Sequence, residues 1–244
     1  MTIASDEILL VTPVWNDSSR LAGFGEDLAK VLAGSLLPIR WVIADDGSGA
    51  REQQLLNELC ASFEKIFPRV DLHFENMHEG KGSIVRNAWK LSPDAAWYAF
   101  VDADGSVTPE EMLRLIETAV SGGSTALGIR KRTAETRVEV SLWRRLVHRG
   151  FLIAVRLLLA LRCDDPQCGA KVLQGTGYRK VSRELRENGL AFDSELLFAL
   201  KRKGECWIEV PLNWTEKEGG KVKPMRDAWG MLAALVRIRC RKSA

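Results

Sequence analysis

Residues 97–105 read WYAFVDADG, an apolar run that ends in two aspartates separated by one residue. The run predicts a buried strand, and TPEE at 108–111 is typical of a helix start. Alternate residues of an extended chain point to the same side, so Asp102 and Asp104 could ligate one hard divalent cation. A capped turn is the alternative for an Asp-x-Asp before glycine. The strand before the pair and the helix after it favour the ligand interpretation.

Four further apolar runs surround this stretch, and segments with helical periodicity separate them. The runs are ILLVT from Ile8, WVIAD from Trp41, DLHF from Asp71 and TALGI from Thr125. Strands joined by helices of this length predict an α/β fold with a mainly parallel, twisted sheet, whose ligand sites lie at the carboxyl ends of the strands. Beyond residue 140 we expect a long apolar helix over about 142–161, a loop over 163–171, two shorter helices, a strand at WIEV and a final helix.

A second acidic pair, Asp45 and Asp46, ends the strand that starts at Trp41. It should converge with the first pair on one edge of the sheet. These side chains either form a turn or accept hydrogen bonds from a nucleobase or ribose. The first strand ends in TPVWND at 12–17, where Trp15 either stacks on a base or belongs to the core.

Cationic side chains follow two other strands. GKG at 80–82, with Arg86, opens a helix, and backbone N–H groups and cations at a helix start favour phosphate. The segment lacks the GxxxxGK[ST] spacing of a Walker loop. Arg130 and Arg132, after the run TALGI, are further candidates for anion contacts, although Arg132 could be a solvated surface residue.

The chain has 244 residues, 46% hydrophobic content and a net charge of +3, which suit one large α/β domain with a buried core. We expect no nucleic-acid partner. Five cysteines without a CxxC pair suit a reducing compartment. The amino-terminal MTIASDEILLVTPVW predicts a first strand and not a signal peptide, and no window holds 18 uninterrupted apolar residues. We therefore expect a cytoplasmic location without a transmembrane span.

Together, several motifs resemble the family 2 glycosyltransferases, most of all the dolichyl-phosphate β-glucosyltransferases. They are VTPVWND, IADDGSG, GKGSIVR, FVDADG, GIRKR, DDPQCGAKV, AFDSELLF and EVPLNWTEKEGGKVKP. The resemblance implies a GT-A fold and an inverting, metal-dependent transfer of glucose, with Mg²⁺ or Mn²⁺, from UDP-glucose to a polyprenyl phosphate at the cytoplasmic membrane face. It also implies a single domain over 1–244, with a nucleotide-binding half at about 1–130 and an acceptor- and membrane-facing half at about 131–244.

The resemblance also assigns roles to residues that match the motifs. The metal would be held by Asp102 and Asp104, and Asp46 would read the uracil. Catalytic roles would fall to Asp104, Asp165 and Gln167. The implied contacts with the nucleotide-sugar donor are those of Pro13, Trp15, Asp17, Asp46, Lys81, Asp102, Ala103, Arg130 and Lys221, with Lys217 and Lys223 as neighbours of Lys221.

Inverting transfer requires an acceptor oxygen that attacks the anomeric carbon from the face opposite the departing nucleotide. A phosphate monoester, with a second pKa of about 6, is largely ionised at neutral pH and makes little demand on a protein base. We therefore expect Asp165 to orient the acceptor or to stabilise developing positive charge.

Basic residues accompany two apolar helices. Arg144, Arg145 and Arg149, with Trp143 and Phe151, predict a helix that lies on a membrane surface, and a core helix with solvated arginines is the alternative. The final helix, DAWGMLAALVRIRCRK, would add a second contact. Two other functions stay open, namely transfer to a soluble or cell-surface glycan and nucleotide binding without transfer.

Overall fold

The computed structural model describes residues 6–139, 142–217 and 224–241. The strands are β1 (Ile8–Val14), β2 (Ile39–Asp45), β3 (Val70–Phe74), β4 (Trp97–Val101), β5 (Thr125–Ile129), β6 (Val138–Glu139), β7 (Ala170–Gln174), β8 (Trp207–Pro211) and β9 (Trp214–Thr215). The helices are α1 (Ser18–Ala33), α2 (Ala50–Glu64), α3 (Lys81–Trp89), α4 (Pro109–Gly122), α5 (Leu142–Leu159), α6 (Gly175–Val181), α7 (Phe192–Arg202) and α8 (Pro224–Cys240).

The mainly parallel sheet predicted from the sequence is confirmed. Seven strands form it in the order β3-β2-β1-β4-β7-β5-β8, while β6 and β9 form a separate pair. Only β7 runs antiparallel to its neighbours in the large sheet, β4 and β5. The sequence predicted a loop over 163–171 and missed β7, because a short run such as AKVLQ does not show its periodicity clearly. The long helix is present and ends at Leu159, and the two shorter helices are α6 and α7.

Helices cover both faces of the large sheet. On β1, Ile8 and Leu10 pack into one core with α1, α2 and α4, whereas Leu9 and Val11 pack into a second core with α3, α5, α6, α7 and α8. None of these four side chains is more than 1% exposed. Successive residues of a strand therefore all meet apolar surroundings, which explains why these strands read as continuous apolar runs.

The chain turns sharply before α3, the helix that carries Lys81. Gly80 has a φ of +115°, a conformation that favours glycine. A Cβ at this position would also lie 2.7 Å from the backbone oxygen of Asn188, so the turn rests directly on the segment before α7. This contact fixes where α3 begins relative to the end of β2.

The start of α3 packs so closely on α7 that Gly82 has no room for a methyl group. A Cβ there would lie 2.4 Å from Phe192 Cβ and 2.5 Å from the backbone oxygen of Glu187. We predict that Gly82→Ala lowers the free energy of unfolding by about 1–3 kcal/mol, because α3 must move away from α7. Chemical denaturation measures this change. The control is Gly122→Ala in α4, where no atom lies within 4 Å, and equal stabilities of the two variants would contradict the prediction.

Candidate active site

A cavity of about 1110 Å³ lies at the carboxyl ends of β1, β2 and β4. Val14 of β1 pairs with Asp45 of β2, so the loops that follow these parallel strands meet at one edge. Both acidic clusters reach the cavity, as the sequence predicted. The predicted site residues on its wall are Pro13, Trp15, Asp17, Asp46, Lys81, Asp102, Ala103, Asp104, Arg130 and Gln167. Lys217 also lines the cavity, whereas Lys221 and Lys223 lie outside the described residues.

Asp102 belongs to a chain of ion pairs that continues into the core. Lys81 Nζ lies 2.7 Å from Asp102 Oδ1 and 3.6 Å from Asp193 Oδ2. Lys171, which is fully buried, donates to Asp193 Oδ1 at 2.6 Å and to the backbone oxygen of Cys168 at 2.8 Å. Although burial disfavours a charged amine, the two aspartates raise the pKa of Lys81 above its ordinary value. Lys81 is therefore a cation, and its ion pair orients the Asp102 carboxylate.

The backbone of Gly169 holds Asp102 from another side. Its oxygen accepts the Asp102 N–H at 2.9 Å. A Cβ on Gly169 would lie 2.1 Å from Asp102 Oδ2, so only glycine leaves room for the carboxylate in this orientation. Burial raises the pKa of Asp102, and Lys81 opposes that effect. The position of the carboxylate therefore depends on residues from three separate segments.

Asp104 has its own cationic neighbour. Asp104 Oδ1 accepts the Ser106 N–H at 2.9 Å, and Oδ2 lies 3.7 Å from Arg20 Nη1. Arg20 also pairs with Asp17, with 2.9 Å between Arg20 Nε and Asp17 Oδ1. Asp17 lies on the cavity wall, so its contact with a nucleotide stays a prediction.

The two carboxylates suit a hard divalent cation that other ligands help to hold. Within the described ranges, no group of three His, Cys, Asp or Glu side chains is placed to bind a metal ion. Mg²⁺ and Mn²⁺ accept one or two carboxylates together with phosphate oxygens and water. Asp102 and Asp104 therefore fit a cation that arrives with a diphosphate.

The two residues of the other acidic pair, Asp45 and Asp46, differ in role, since Asp45 is structural and Asp46 lines the cavity. Asp45 is fully buried and accepts the Ser48 N–H at 3.1 Å, so it forms the turn. Asp46 accepts the backbone N–H groups of Glu79 at 3.0 Å and of Gly80 at 2.8 Å. His78 Nδ1 lies 2.7 Å from Asp46 Oδ2, and the His78 ring stacks on Trp15. Trp15 thus lies at the cavity and not in the core, and its stacking on a base stays a prediction.

Asp165 lies behind Arg130 and is only 2% exposed. Arg130 Nε lies 2.6 Å from Asp165 Oδ2, and Arg130 Nη2 lies 2.8 Å from Oδ1. Burial by itself favours the neutral acid, but Arg130 outweighs it and lowers the pKa of Asp165. His148 of α5 approaches the same pair, with 3.6 Å between its Nε2 and Asp165 Oδ1.

Gln167 donates to the Leu190 backbone oxygen and to Ser194 Oγ, both at 3.3 Å.

Four charged or titratable side chains of the site had no assigned role in the sequence analysis. Asp193 lies in the quoted motif AFDSELLF, but neither spacing nor periodicity shows that it meets Lys81 and Lys171. Arg20 lies one helical turn after Asp17, which is a signal that was available. His78 and His148 reach the site from loops and helices whose approach depends on the tertiary fold. The four residues are Arg20, His78, His148 and Asp193.

The cavity extends to α5 and α8. Residues 147–151 of α5 and Met231 and Leu232 of α8 line this end. Farther along the two helices, Ile153 and Leu157 of α5 are 58% and 79% exposed, and Trp229 of α8 is 76% exposed. The side chains of 142–146, which include Trp143, Arg144 and Arg145, lie outside the described part. In the segments that the structure describes, every helix is too short or too polar to cross a bilayer.

The basic residues of α8 are only partly available to an outside partner. Arg237 donates to Glu187 Oε2 at 2.8 Å, and Arg241 pairs with Glu187 and Glu195. These contacts attach α8 to the segment before α7. Arg237 and Arg241 are therefore engaged in structural ion pairs.

A twisted sheet with helices on both faces and an Asp-x-Asp at the end of its central strand defines an α/β transferase of the GT-A type. The chain belongs to the family described as Glycosyl transferase family 2, whose profile matches residues 9–180. The fold and the family that the sequence predicted are both confirmed.

Two curated relatives and one crystal structure show what the chain is similar to. The dolichyl-phosphate β-glucosyltransferase of Saccharomyces cerevisiae is 28% identical over 255 residues, which cover 96% of this chain and 75% of the relative. The polyprenol monophosphomannose synthase of Mycolicibacterium smegmatis is 28% identical over 212 residues, covering 81% and 78%. Glucosyl-3-phosphoglycerate synthase of Mycobacterium tuberculosis, solved with Mn²⁺, UDP-glucose and phosphoglyceric acid, has a TM-score of 0.67 at 14% identity, covering 97% and 80%.

We predict that Arg130→Met lowers the free energy of unfolding by about 3–5 kcal/mol at pH 7, because it leaves the buried Asp165 carboxylate without its cation. In the native chain the lowered pKa of Asp165 stabilises the fold above the unfolded value of about 3.9. In the variant, burial raises the pKa, so protonation relieves the penalty. The difference between the two proteins should therefore shrink as the pH falls from 7 towards about 4.

Urea denaturation at several pH values measures this difference. The matched control is Lys131→Met, which removes the neighbouring, exposed ion pair between Lys131 and Asp164. That change should cost less than about 1 kcal/mol at any pH. A pH-independent deficit in Arg130→Met would contradict the assigned ion pair.

Proposed function

We propose that this glycosyltransferase moves glucose from UDP-glucose to a polyprenyl phosphate, with inversion, at the cytoplasmic surface of a membrane. One observation carries the proposal. A single cavity joins an end with Trp15, Asp46 and the Asp102–Asp104 pair to a cationic end bordered by two helices with exposed apolar side chains. The first end suits a nucleotide diphosphate, and the second suits a phosphate attached to a lipid.

At the donor end, the roles follow from charge. Asp102 and Asp104 would hold Mg²⁺ or Mn²⁺, which as a Lewis acid would offset the charge on the departing UDP. Lys81 keeps Asp102 ionised and oriented. Trp15 and Asp46 offer a stacking surface and a hydrogen-bond acceptor to the base. Pro13, Asp17 and Ala103 complete the wall around the nucleoside.

At the acceptor end, Arg130 is the residue best placed to bind phosphate. Asp165 is too buried to take a proton from an acceptor, and an ionised phosphate does not require it to do so. We therefore assign Asp165 as the residue that orients Arg130 through two hydrogen bonds. Gln167, tied to the α7 segment, contributes a polar group to the same wall.

The decisive test is a panel of radiolabelled UDP- and GDP-sugars, with and without polyprenyl phosphate and Mn²⁺. Metal-dependent label in the organic phase, only with UDP-glucose and the phosphorylated lipid, supports the proposal. Polyprenol without phosphate is the matched acceptor control. Label on an added glycan in place of the lipid would favour the soluble or cell-surface acceptor, and nucleotide binding without any transfer would favour a non-catalytic module.

We predict that Asp104→Asn lowers the Mn²⁺-dependent transfer rate by at least about 100-fold, because one carboxylate ligand of the cation is lost. The amide oxygen can still accept the Ser106 N–H, so the loop should keep its shape. Asp94→Asn, at an exposed carboxylate before β4, is the control and should match the wild type. Full activity of Asp104→Asn in the presence of a chelator would rule out a metal role for this residue.

The exposed apolar side chains of α5 and α8 predict binding to vesicles. Leu157 is 79% exposed, and burial of one leucine in lipid is worth enough to change the affinity by roughly tenfold. Leu157→Ser should therefore weaken co-sedimentation with anionic vesicles at low salt. The control is Leu36→Ser, at a leucine of 103% relative exposure in the loop between α1 and β2. Equal loss in both variants would count against an oriented membrane contact.

A further inference from the structure

The His78 ring makes two contacts, with Trp15 and with Asp46, that a bound nucleobase could also make. The ring centroids of His78 and Trp15 are 3.8 Å apart, and the ring planes differ by 14°. His78 Nδ1 lies 2.7 Å from Asp46 Oδ2. The imidazole thus lies flat on an indole while a ring nitrogen faces a carboxylate. A uracil base that stacks on Trp15 and donates its ring N–H to Asp46 would make the same two contacts.

The Asp46 carboxylate has little capacity for another donor. Its side chain is 4% exposed, and it already accepts the N–H groups of Glu79 and Gly80. These backbone donors are fixed, because the segment that carries them lies directly on Gly47. A Cβ on Gly47, whose φ is +68°, would lie 2.4 Å from the backbone carbon of Met77. His78 holds Asp46 Oδ2 and also covers Trp15, so a base can make both contacts in this position only if the His78 side chain leaves.

His78 is free to make that movement. Its side chain is 43% exposed and borders the cavity. Rotation about its own side-chain torsions removes the ring from Trp15 without any backbone change. The neighbouring donors Glu79 N and Gly80 N would remain on Asp46 and keep the carboxylate in place.

We propose that His78 occupies the position of the donor's base in the nucleotide-free protein and is displaced when the base binds. The inference rests on the proposed function, since it concerns the nucleotide end of the same site. His78 then acts as a specificity-determining residue. Displacement of His78 breaks its stacking contact with Trp15 and its hydrogen bond to Asp46. Only a base that makes both contacts itself offsets the free energy lost in this step. The returning ring also competes with UDP after transfer and so favours product release.

Calorimetric titration with UDP and Mn²⁺ tests the competition. His78→Ala should bind UDP about three- to tenfold more tightly than the wild type, since an aromatic stacking contact of ordinary strength no longer has to be broken. His73→Ala is the matched control, because His73 lies on β3 against Glu75 and should leave UDP affinity unchanged. UDP methylated at N3 of the uracil, which cannot donate to Asp46, should bind the wild type more weakly than UDP.

A second readout follows the ring itself in the wild type. The chain has three histidines, so single variants assign their ring protons in NMR spectra. The His78 protons should show the ring-current shift of a stacked imidazole and lose it on saturation with UDP. Unmoved His78 resonances at saturation, or unchanged or weaker binding by His78→Ala, would overturn the inference and leave the proposed function standing. A wild type that binds no UDP with Mn²⁺ would overturn the proposed donor and the inference together.

Discussion

The structure depends on the pairing of charges at the inner end of the cavity. Asp193 and Lys171 are almost completely buried, and burial of an unpaired charge costs several kcal/mol, on the order of 3–5. Asp193 pairs with Lys171, which is fully buried, and with Lys81, and Lys81 in turn pairs with Asp102 at the cavity. Lys81, Asp193 and Lys171 belong to α3, α7 and β7, and Asp102 directly follows β4. The requirement for charge pairing therefore fixes the relative positions of four elements, and the close contact at Gly82 follows from it.

The same principle organises the proposed acceptor end. Arg130 follows β5, and Asp165 comes from the loop before β7, so their hydrogen bonds connect the antiparallel strand to its neighbour. An arginine held at two points presents its remaining donors in a fixed direction, which suits the recognition of a phosphate. A carboxylate at this depth serves the site better as a support for Arg130 than as a base. The chemistry of an ionised acceptor and the burial of Asp165 thus lead to the same assignment.

Sequence patterns predicted those parts of the site that local rules control. Continuous apolar runs identified the strands, and parallel strands necessarily bring their carboxyl ends together, so the convergence of Asp46 with Asp102 and Asp104 followed. The antiparallel direction of β7 could not be predicted, because it depends on where α5 returns the chain. The partnership of Asp193 with two lysines likewise depends on the packing of α7. The position of Arg130 after a strand made it a candidate for anion contacts, and the resemblance supplied Asp165, but their ion pair is a tertiary feature.

Three acidic groups of the cavity each have an internal partner. Lys81 lies beside Asp102, Arg20 lies beside Asp104, and His78 lies beside Asp46. Three carboxylates in one cavity would otherwise repel one another and lose solvation. Under the proposed function, Lys81 would stay beside Asp102 while the base replaces His78 at Asp46, so the free energy gained at Asp46 would be the difference between two sets of contacts. The net affinity for the nucleotide would therefore be lower than the contacts of the bound base alone would give.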